Sequence, residues 1–250
     1  MKKKYNHGNK KIEKKIIIFS GAGISAESGI STFRDSNGLW EKHRIEDICN
    51  QFTWKKNFEL VHQFYNQRRL QLNNVTFNNA HEVVAKIQKK YGDDCHVITQ
   101  NVDDLFERAG CTNVLHVHGE LKYMNCEACG EHWEIGYKEF DVNISSCPKC
   151  GSVKGVRPDI VFFGGNAPNY KKMFKLFDAA SNGSSIVIVV GTLGNVIPIE
   201  DILKGTPCMK ILNNLDKSQY IDDKIFDKVY FEEATTALAK IETYIEQFWK

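Results

Sequence analysis

The stretch Ile16–Asp35, IIIFSGAGISAESGISTFRD, decides the fold. It opens with four apolar residues, and the small residues that follow include Gly21, Gly23 and Gly29. A short β-branched run that stops at glycines predicts a buried strand followed by a tight turn. A helix that begins after such a turn directs its backbone N–H groups at an anion, so the loop is a candidate phosphate-binding site. The glycine spacing differs from G-x-G-x-x-G, which argues against a dehydrogenase.

Apolar strands alternate with amphipathic helices along the rest of the chain. We predict strands in HVITQNVD, NVLHVHGE, DIVFFGG, SIVIVVGT, PCMKILNN and DKVYF, and helices over 53–72, 78–90, 103–109, 170–180 and 235–248. This alternation predicts an α/β fold whose open parallel sheet is covered on both faces. Ligands of such sheets bind beyond the carboxyl ends of the strands. The loops SGAG, TQNVDD, HVHGE, FFGG, GTLGN and LNNLD should therefore converge on one crevice.

The composition of the 250-residue chain is ordinary for a folded domain with a full core, at 42% hydrophobic and 26% charged residues. No apolar run approaches the roughly 18 residues of a spanning helix. The N-terminal residues run from charge into a short strand without the apolar segment of a signal peptide. We therefore expect a cytoplasmic protein that has no membrane partner.

The charge is distributed unevenly along the chain. The net charge is +2, but residues 1–15 hold seven lysines and one acid, which leaves the remainder mildly acidic. We predict that residues 1–13 form a basic, flexible arm, and we expect no nucleic-acid partner. We expect a monomer.

Eight cysteines are present, and four of them form two C-x-x-C pairs, Cys126–Cys129 and Cys147–Cys150. This spacing lets two turns face each other and offer four thiolates to a tetrahedral Zn²⁺. A disulfide pair does not suit a cytosolic chain, and a redox C-x-x-C would be expected alone beside a helix. The four ligands leave no open position, so the sequence predicts one structural zinc ion per chain within an insert.

His118 stands at the end of a predicted strand, immediately before Gly119. We expect it to project into the crevice, where a neutral imidazole can accept a proton near pH 7. We expect His116 to face the opposite way, into the packed interior. Asn101 and Asp103 could hydrogen-bond an amide or a ribose there, although the same residues also build turns.

The motifs, taken in order, resemble those of the sirtuins, which are NAD-dependent protein-lysine deacylases. The matching segments are GAGISAESGISTFR, TQNVD, HVHGE, the two C-x-x-C pairs, RPDIVFFG and the GT after the fifth apolar strand. The resemblance covers the chain from about Lys14 onward and implies one catalytic domain, 14–250. It implies a Rossmann-like parallel sheet domain (14–41, 80–120 and 158–250) with a smaller domain made of a helical insert (42–79) and a zinc-ribbon insert (121–157).

The resemblance also implies that NAD is consumed as a co-substrate. The acyl-lysine oxygen would attack the ribose as nicotinamide leaves, and His118, with Asn101, would serve the catalytic step. The products would be free lysine, nicotinamide and O-acyl-ADP-ribose. The residues implied to contact NAD are Gly21, Ala22, Gly23, Ile24, Phe33, Arg34, Trp40, Gln100, Asn101, Val102, Asp103, Gly191, Thr192, Leu193, Asn214, Leu215, Asp216 and Ala234. Leu193 replaces the serine of the family's GTS motif and offers no hydroxyl.

Two further segments are implied by the resemblance to bind the acyl group and the backbone of the substrate peptide. The stretch FYNQRR places Tyr65 and Arg68 on one helical face, where both could donate hydrogen bonds to a carboxylate. With Ala26, this pattern resembles the class III sirtuins, which remove succinyl and malonyl groups, and bacterial members also remove acetyl groups. From the residues alone, the favoured interpretation is a surface pair or a packing tyrosine beside a solvated arginine. The edge that pairs with the substrate backbone is implied to contain Val161, Phe163 and Gly164.

Two functions of other classes stay open at this point. A mono-ADP-ribosyltransferase would cleave the same cofactor and transfer it to another acceptor. A non-catalytic NAD-binding or zinc-ribbon interaction protein would need none of His118, Asn101 and Asp103. The presence of these residues favours the deacylase.

Overall fold

A computed structural model of the chain describes residues 14–31, 39–40 and 43–249, and for 39–40 it describes the backbone alone. The predicted arm 1–13, Phe33, Arg34 and the side chain of Trp40 lie outside the described residues. Among the helices that are described, none has the length and apolarity needed to cross a membrane.

Strands and helices alternate over most of the described chain. Strands β1 to β11 are Ile16–Ser20, Leu39–Trp40, His43–Arg44, Cys95–Thr99, Leu115–His116, Gly119–Cys126, His132–Glu134, Val156–Ile160, Ile186–Val190, Met209–Asn214 and Lys228–Phe231. Helices α1 to α7 are Ile45–Ile48, Phe58–Asn74, Asn79–Tyr91, Leu105–Arg108, Tyr170–Ala180, Ile199–Leu203 and Ala234–Phe248. Short 3₁₀ helices cover Ala22–Ser28, Gly92–Asp94 and Asp223–Ile225.

Six strands form the main sheet in the order β11-β10-β9-β1-β4-β5, and every pairing is parallel. Both β1 and β9 are buried at every position, because helices cover both faces of the sheet. The chain runs outward from β1 to β4 and β5 and later returns to β9 on the other side of β1. The strand order therefore reverses between β1 and β9, which is the point where such sheets bind ligands.

The two faces of the sheet carry separate cores. Successive residues of β1 point to opposite sides, so Ile16 and Ile18 share a side and pack with α3 and α7. Ile17 and Phe19 pack with α5 and α6 instead. Ring contact between Phe19 and Phe177, with centroids 5.7 Å apart, fixes α5 against its face.

A second sheet, in the order β7-β6-β8, is antiparallel and belongs to a smaller unit. It shares one core with α2, whose residues Phe58, Val61 and Tyr65 recur at helical spacing and are buried. The helical and zinc-binding inserts thus pack on each other through a common core.

The observed elements differ from the predicted ones in four respects. The strand predicted in DIVFFGG lies earlier, as β8, and joins the small sheet, because it pairs with β6 in antiparallel fashion. Residues 51–57 form turns, so α2 begins at Phe58, five residues after the predicted start. Strand β5 is only two residues long, so His118 follows the strand instead of ending it. The short helices α1 and α6 were not predicted, since four or five residues carry too little periodicity.

Candidate active site

The loops that follow the main-sheet strands are joined to one another by backbone hydrogen bonds. The amide of Gly21 donates to the carbonyl of Val190 at 2.9 Å, and the amide of Gln100 donates to Ser20 at 2.9 Å. The amide of Gly191 donates to Asn213, also at 2.9 Å. The loops after β1, β4, β9 and β10, four of the six predicted to converge, therefore form one continuous edge. The FFGG loop approaches from the small sheet, because it follows β8.

Glycines in the first loop allow it to pack directly on the loop after β9. A Cβ atom on Gly23 would lie 2.6 Å from the Cα of Gly191, and one on Gly21 would lie 2.8 Å from the Gly191 carbonyl oxygen. The amide of Gly23 donates to that carbonyl at 2.8 Å, and the amide of Ile24 donates to Gly21 at 3.2 Å. The two glycines therefore leave room for the backbone of the neighbouring loop. Ala22, which lies between them, begins the 3₁₀ helix.

Ser25 joins two of the predicted residues inside the crevice. Its hydroxyl donates to Oδ2 of Asp103 at 3.0 Å and accepts from Nδ2 of Asn101 at 3.0 Å. The ring of His81 lies 3.4 Å away through Nε2. All four side chains are buried, and burial raises the pKa of Asp103 and lowers that of His81 to about 4. The cluster fixes the amide of Asn101 beside a buried carboxyl group.

His116 and His118 both bind the loop after β4. Nδ1 of His116 lies 2.9 Å from the Asn101 carbonyl, and Nδ1 of His118 lies 3.2 Å from the Gln100 carbonyl. His116 is buried, as predicted, but the two imidazoles contact consecutive carbonyls of one loop and do not face opposite ways. The prediction of opposite faces is wrong. Residues two apart on a strand share a side, and in the structure β5 ends at His116 while Val117 and His118 form a turn.

The environments of these two histidines shift their pKa values in opposite directions. Burial lowers the pKa of His118, and the Gln100 carbonyl only partly opposes this. Burial also acts to lower the pKa of His116, but Oε1 of Glu107, 2.9 Å from Nε2, outweighs it and the pKa rises to about 9. Near neutral pH, His118 is therefore a neutral base, whereas His116 is a cation paired with Glu107.

Thr192, on the loop after β9, is hydrogen-bonded to two other residues that the resemblance implies to contact NAD. Nε2 of Gln100 donates to the Thr192 hydroxyl at 2.9 Å, and Nδ2 of Asn214 donates to the Thr192 carbonyl at 2.9 Å. Oδ1 of Asn214 is buried and has no hydrogen-bond partner within the described part of the chain. An acceptor left in this state at a strand end fits a hydroxyl donor such as that of a ribose.

Other predicted NAD residues surround the same edge. The Leu193 carbonyl accepts from the Ser218 hydroxyl at 2.6 Å, so a hydroxyl from another loop stands beside the position where the family has serine. Leu215 is exposed, whereas Ala234 is buried at the start of α7. Val102 and Asp216 also lie on loops of this edge, after β4 and β10.

The predicted peptide-binding edge is partly occupied by the chain itself. The amide of Phe163 donates to Cys49 at 3.0 Å, and its carbonyl accepts from the amide of Gln51 at 3.0 Å. The amide of Val161 donates to the carbonyl of His118 at 2.8 Å, which places this edge beside the candidate base. Gly164 has φ +77°, and Phe52, 81% exposed, covers it. A peptide strand would have to pair with the edge beyond Phe163.

Tyr65 and Arg68 are not equivalent in the structure. Tyr65 is fully buried, stacks on Phe162 with centroids 6.1 Å apart, and its hydroxyl interacts with the thiol of Cys49. Arg68 lines a cavity of about 50 Å³ that is also lined by Val102 and Asp103 of the loop after β4. The full lining is Ile30, Arg68, Gln71, Leu72, Val102, Asp103 and Leu121.

The four predicted zinc ligands come together. All their Sγ atoms lie within 4.8 Å of one another, with 3.7 Å between Cys126 and Cys150 and 3.7 Å between Cys129 and Cys147. Tetrahedral Zn–S bonds of about 2.3 Å require S···S separations of about 3.8 Å, so the thiolates fit one zinc ion. Gly130 and Gly151, with φ +74° and +70°, turn the chain after each pair.

Sequence reasoning missed three side chains of the site. Ser25 was treated as one small residue among several in the glycine loop. His81 has a local signal, since it stands three residues after the helix-capping Asn78 and completes its capping box. Tyr170, whose hydroxyl lies 2.9 Å from Nε2 of His118, carries no signal that separates it from other residues of α5.

Known proteins resemble this chain over almost its full length. A Sir2 family model matches residues 21–198. The chain is 43% identical to a protein named NAD-dependent protein deacylase from Helicobacter hepaticus, over 94% of this chain and 98% of the relative. It is 42% identical to a protein of the same name from Campylobacter jejuni, over 95% and 98%. A crystal structure of a Sir2 homologue–NAD complex superposes with a TM-score of 0.81 at 32% identity, covering 95% of this chain and 91% of that one. The chain belongs to the Sir2 family, the sirtuins.

Proposed function

We propose that this protein is an NAD-dependent protein-lysine deacylase that acts on acetyl-lysine and on the acidic succinyl- and malonyl-lysines. The observation that carries the proposal is the neutral imidazole of His118, which follows the edge strand β5 and contacts the Gln100 carbonyl in the loop after β4. The same loop carries Asn101 and Asp103, whose side chains are bonded to Ser25. The relatives named as deacylases support the same activity.

The chain's own residues have distinct tasks in this mechanism. NAD, when bound, supplies a ribose carbon that accepts the acyl oxygen and a ribose hydroxyl that must lose its proton. Nε2 of His118 takes that proton, and the Gln100 carbonyl at Nδ1 then faces a charged imidazolium, which it stabilises. Asn101 and Asp103 are held by Ser25 and orient the ribose and the amide of nicotinamide. The zinc ion stabilises the small domain and takes no part in the chemistry, because four thiolates fill its coordination sphere.

The acyl preference rests on Arg68. Its side chain lies over the ring of Phe64, 5.2 Å from the centroid, and lines the cavity that Val102 and Asp103 share. A guanidinium here can bind the carboxylate of a succinyl or malonyl group, and water can take that place beside an acetyl group. Tyr65 can join only by exchanging its interaction with Cys49 for one with the carboxylate.

The activity is tested with an acylated peptide, with and without NAD, followed by mass spectrometry and nicotinamide release. We expect loss of the acyl mass and NAD-dependent nicotinamide release, and we expect His118→Ala to lower turnover by about 10²-fold or more. Gain of an ADP-ribose mass on the acceptor would identify an ADP-ribosyltransferase instead. No nicotinamide release would identify a non-catalytic NAD-binding protein.

The acyl preference is tested by comparing Arg68→Met with Gln71→Met, a neutral change on the same cavity. Loss of the charged pair should cost about 2–4 kcal/mol in kcat/KM for the succinyl peptide and little for the acetyl peptide. The Gln71 variant should affect both peptides alike, and Tyr65→Phe should resemble the Arg68 variant more weakly. Equal losses of kcat/KM toward both peptides in the Arg68 variant would contradict the desuccinylase assignment but not the deacylase assignment.

Two further properties stay predictions. The cytoplasmic location can be checked by cell fractionation, and the monomeric state by light scattering of the purified protein.

A further inference from the structure

The start of helix α5 is bound to the segment that carries His118. The hydroxyl of Tyr170 lies 2.9 Å from Nε2 of His118, and the two rings are 5.9 Å apart between centroids. The preceding residue, Asn169, donates from Nδ2 to the carbonyl of His116 at 2.7 Å. Two successive side chains therefore hold α5 to this segment, so the position of the tyrosine is fixed by the fold.

The hydrogen bonds of His118 determine its tautomer. A backbone carbonyl can only accept, so Nδ1, which faces the Gln100 carbonyl, carries the proton. Nε2 of the neutral ring is then an acceptor with a single lone pair, and the hydroxyl of Tyr170 is its donor.

We propose that Tyr170 is a positioning residue for the base, and that its hydroxyl holds Nε2 of His118 as a neutral, correctly oriented acceptor until the reacting hydroxyl replaces it. This inference rests on the role of His118 proposed above. Since Nε2 has one lone pair, the ribose hydroxyl and the tyrosine hydroxyl cannot both donate to it. The tyrosine hydroxyl therefore has to leave when the reactant binds.

None of the described charged side chains around His118 hydrogen-bonds its ring, whose two nitrogens face the Gln100 carbonyl and the Tyr170 hydroxyl. Asp103, on the loop after β4, is bonded to Ser25, and Asp159, on β8, is bonded to His132 at 3.0 Å. On its own segment, His116 is paired with Glu107, and Glu120 lies near that pair. On α5, the lysines that follow Tyr170 are exposed. Burial lowers the pKa of His118, and the Gln100 carbonyl acts to raise it.

A donor to Nε2 stabilises the neutral ring, because the protonated ring has no lone pair there. Removing the hydroxyl should therefore raise the pKa of His118. A net contribution typical of one neutral hydrogen bond corresponds to a rise of roughly 0.4 to 1 pH unit.

The test is an NMR titration of the NAD-free enzyme labelled with ¹³C at its histidine rings, with the His118 signal assigned by its loss in His118→Gln. We expect Tyr170→Phe to raise the pKa of His118 by about 0.4 to 1 unit. The control is Phe174→Leu, which alters the ring that packs on Tyr170 at 6.4 Å but leaves the hydroxyl in place. An unchanged pKa in Tyr170→Phe, or an equal rise in both variants, would overturn the proposal.

A second measurement connects the hydrogen bond to turnover. In Tyr170→Phe the acid limb of the kcat/KM profile should move to higher pH by the same amount, while Phe174→Leu keeps the wild-type limb. A uniform loss of rate with no movement of the limb would mean that Tyr170 only supports packing. The NMR titration requires no turnover, so an inactive wild-type enzyme would refute the proposed function alone.

Discussion

The buried ion pair between His116 and Glu107 makes the stability of the protein depend on pH in a defined direction. Nε2 of His116 lies 2.9 Å from Oε1 of Glu107, and the imidazole is only 4% exposed. The pKa of His116 rises from an ordinary 6.5 to about 9 in the folded protein, because Glu107 outweighs the effect of burial. We predict that Glu107→Gln removes this rise and changes the pH dependence of unfolding.

The magnitude follows from the shift in pKa. A rise from 6.5 to about 9 corresponds to roughly 3 kcal/mol at about 1.4 kcal/mol per unit. The carboxylate of Glu107 is 37% exposed, so solvent screening reduces the figure to about 1–2 kcal/mol. Because the folded pKa lies above the unfolded one, this stabilisation is complete below pH 6.5 and is lost as the pH rises through about 9.

The assay is urea denaturation at several pH values between 6 and 9.5 for the wild type and Glu107→Gln. The free energy of unfolding of the wild type should exceed that of the variant by about 1–2 kcal/mol near pH 6.5, and the two should converge above pH 9. The matched control is Asp159→Asn, which breaks the pair with His132 at 3.0 Å, whose side chains are 46% and 31% exposed. Exposed pairs contribute about 0–1 kcal/mol, so this variant should follow the wild type.

Parallel curves for the wild type and Glu107→Gln across this range would refute the reasoning. They would mean that His116 is neutral in the folded protein and that Glu107 does not hold a proton on it. A neutral imidazole would then bind the carbonyl of Asn101, and the contact between His116 and Glu107 would add no electrostatic stabilisation to the loop after β4.

Three further predictions concern the metal, the loop packing and the buried hydroxyl. Purified protein should contain about one zinc per chain. Chelation of the zinc, or the substitution Cys150→Ser, should lower Tm by about 10 °C or more. Full activity of zinc-free protein would contradict this prediction. Gly23→Ala should lower the free energy of unfolding, measured with urea, by about 1–3 kcal/mol, because its Cβ meets the backbone of Gly191. Gly183→Ala, whose Cβ would have its nearest neighbour at 4.0 Å, should leave that free energy unchanged. Equal losses in the two variants would exclude backbone packing as the cause. Ser25→Ala should lower the free energy of unfolding by about 1–3 kcal/mol and should lower turnover. Wild-type values of both quantities would show that the hydrogen bonds of Ser25 to Asn101 and Asp103 are not needed for stability or activity.

The sequence alone determined most of the longer strands and helices, the glycine turn after β1 and the cysteine cluster. Each of these follows from a local pattern: the apolar runs of β1 and β9, the glycines at 21 and 23, and two C-x-x-C pairs whose own turns position their thiolates. His118 was also recognisable, because its motif marks it as a candidate base at a predicted strand end. Local patterns of this kind specify an element and its buried face before any partner is known.

The tertiary structure alone decided which side chains meet. Ser25 reaches Asn101 and Asp103 across 76 and 78 residues, and Tyr170 reaches His118 across 52. The apolar stretch DIVFFGG was predicted as a strand of the main sheet, whereas the strand that forms, β8, is the alternating VRPDI at the edge of the small sheet. The choice of sheet depends on the order of strands and on the loop geometry that brings their ends together. No periodicity within one segment encodes that order, since a hydrogen bond between distant residues is set by the packing of everything between them.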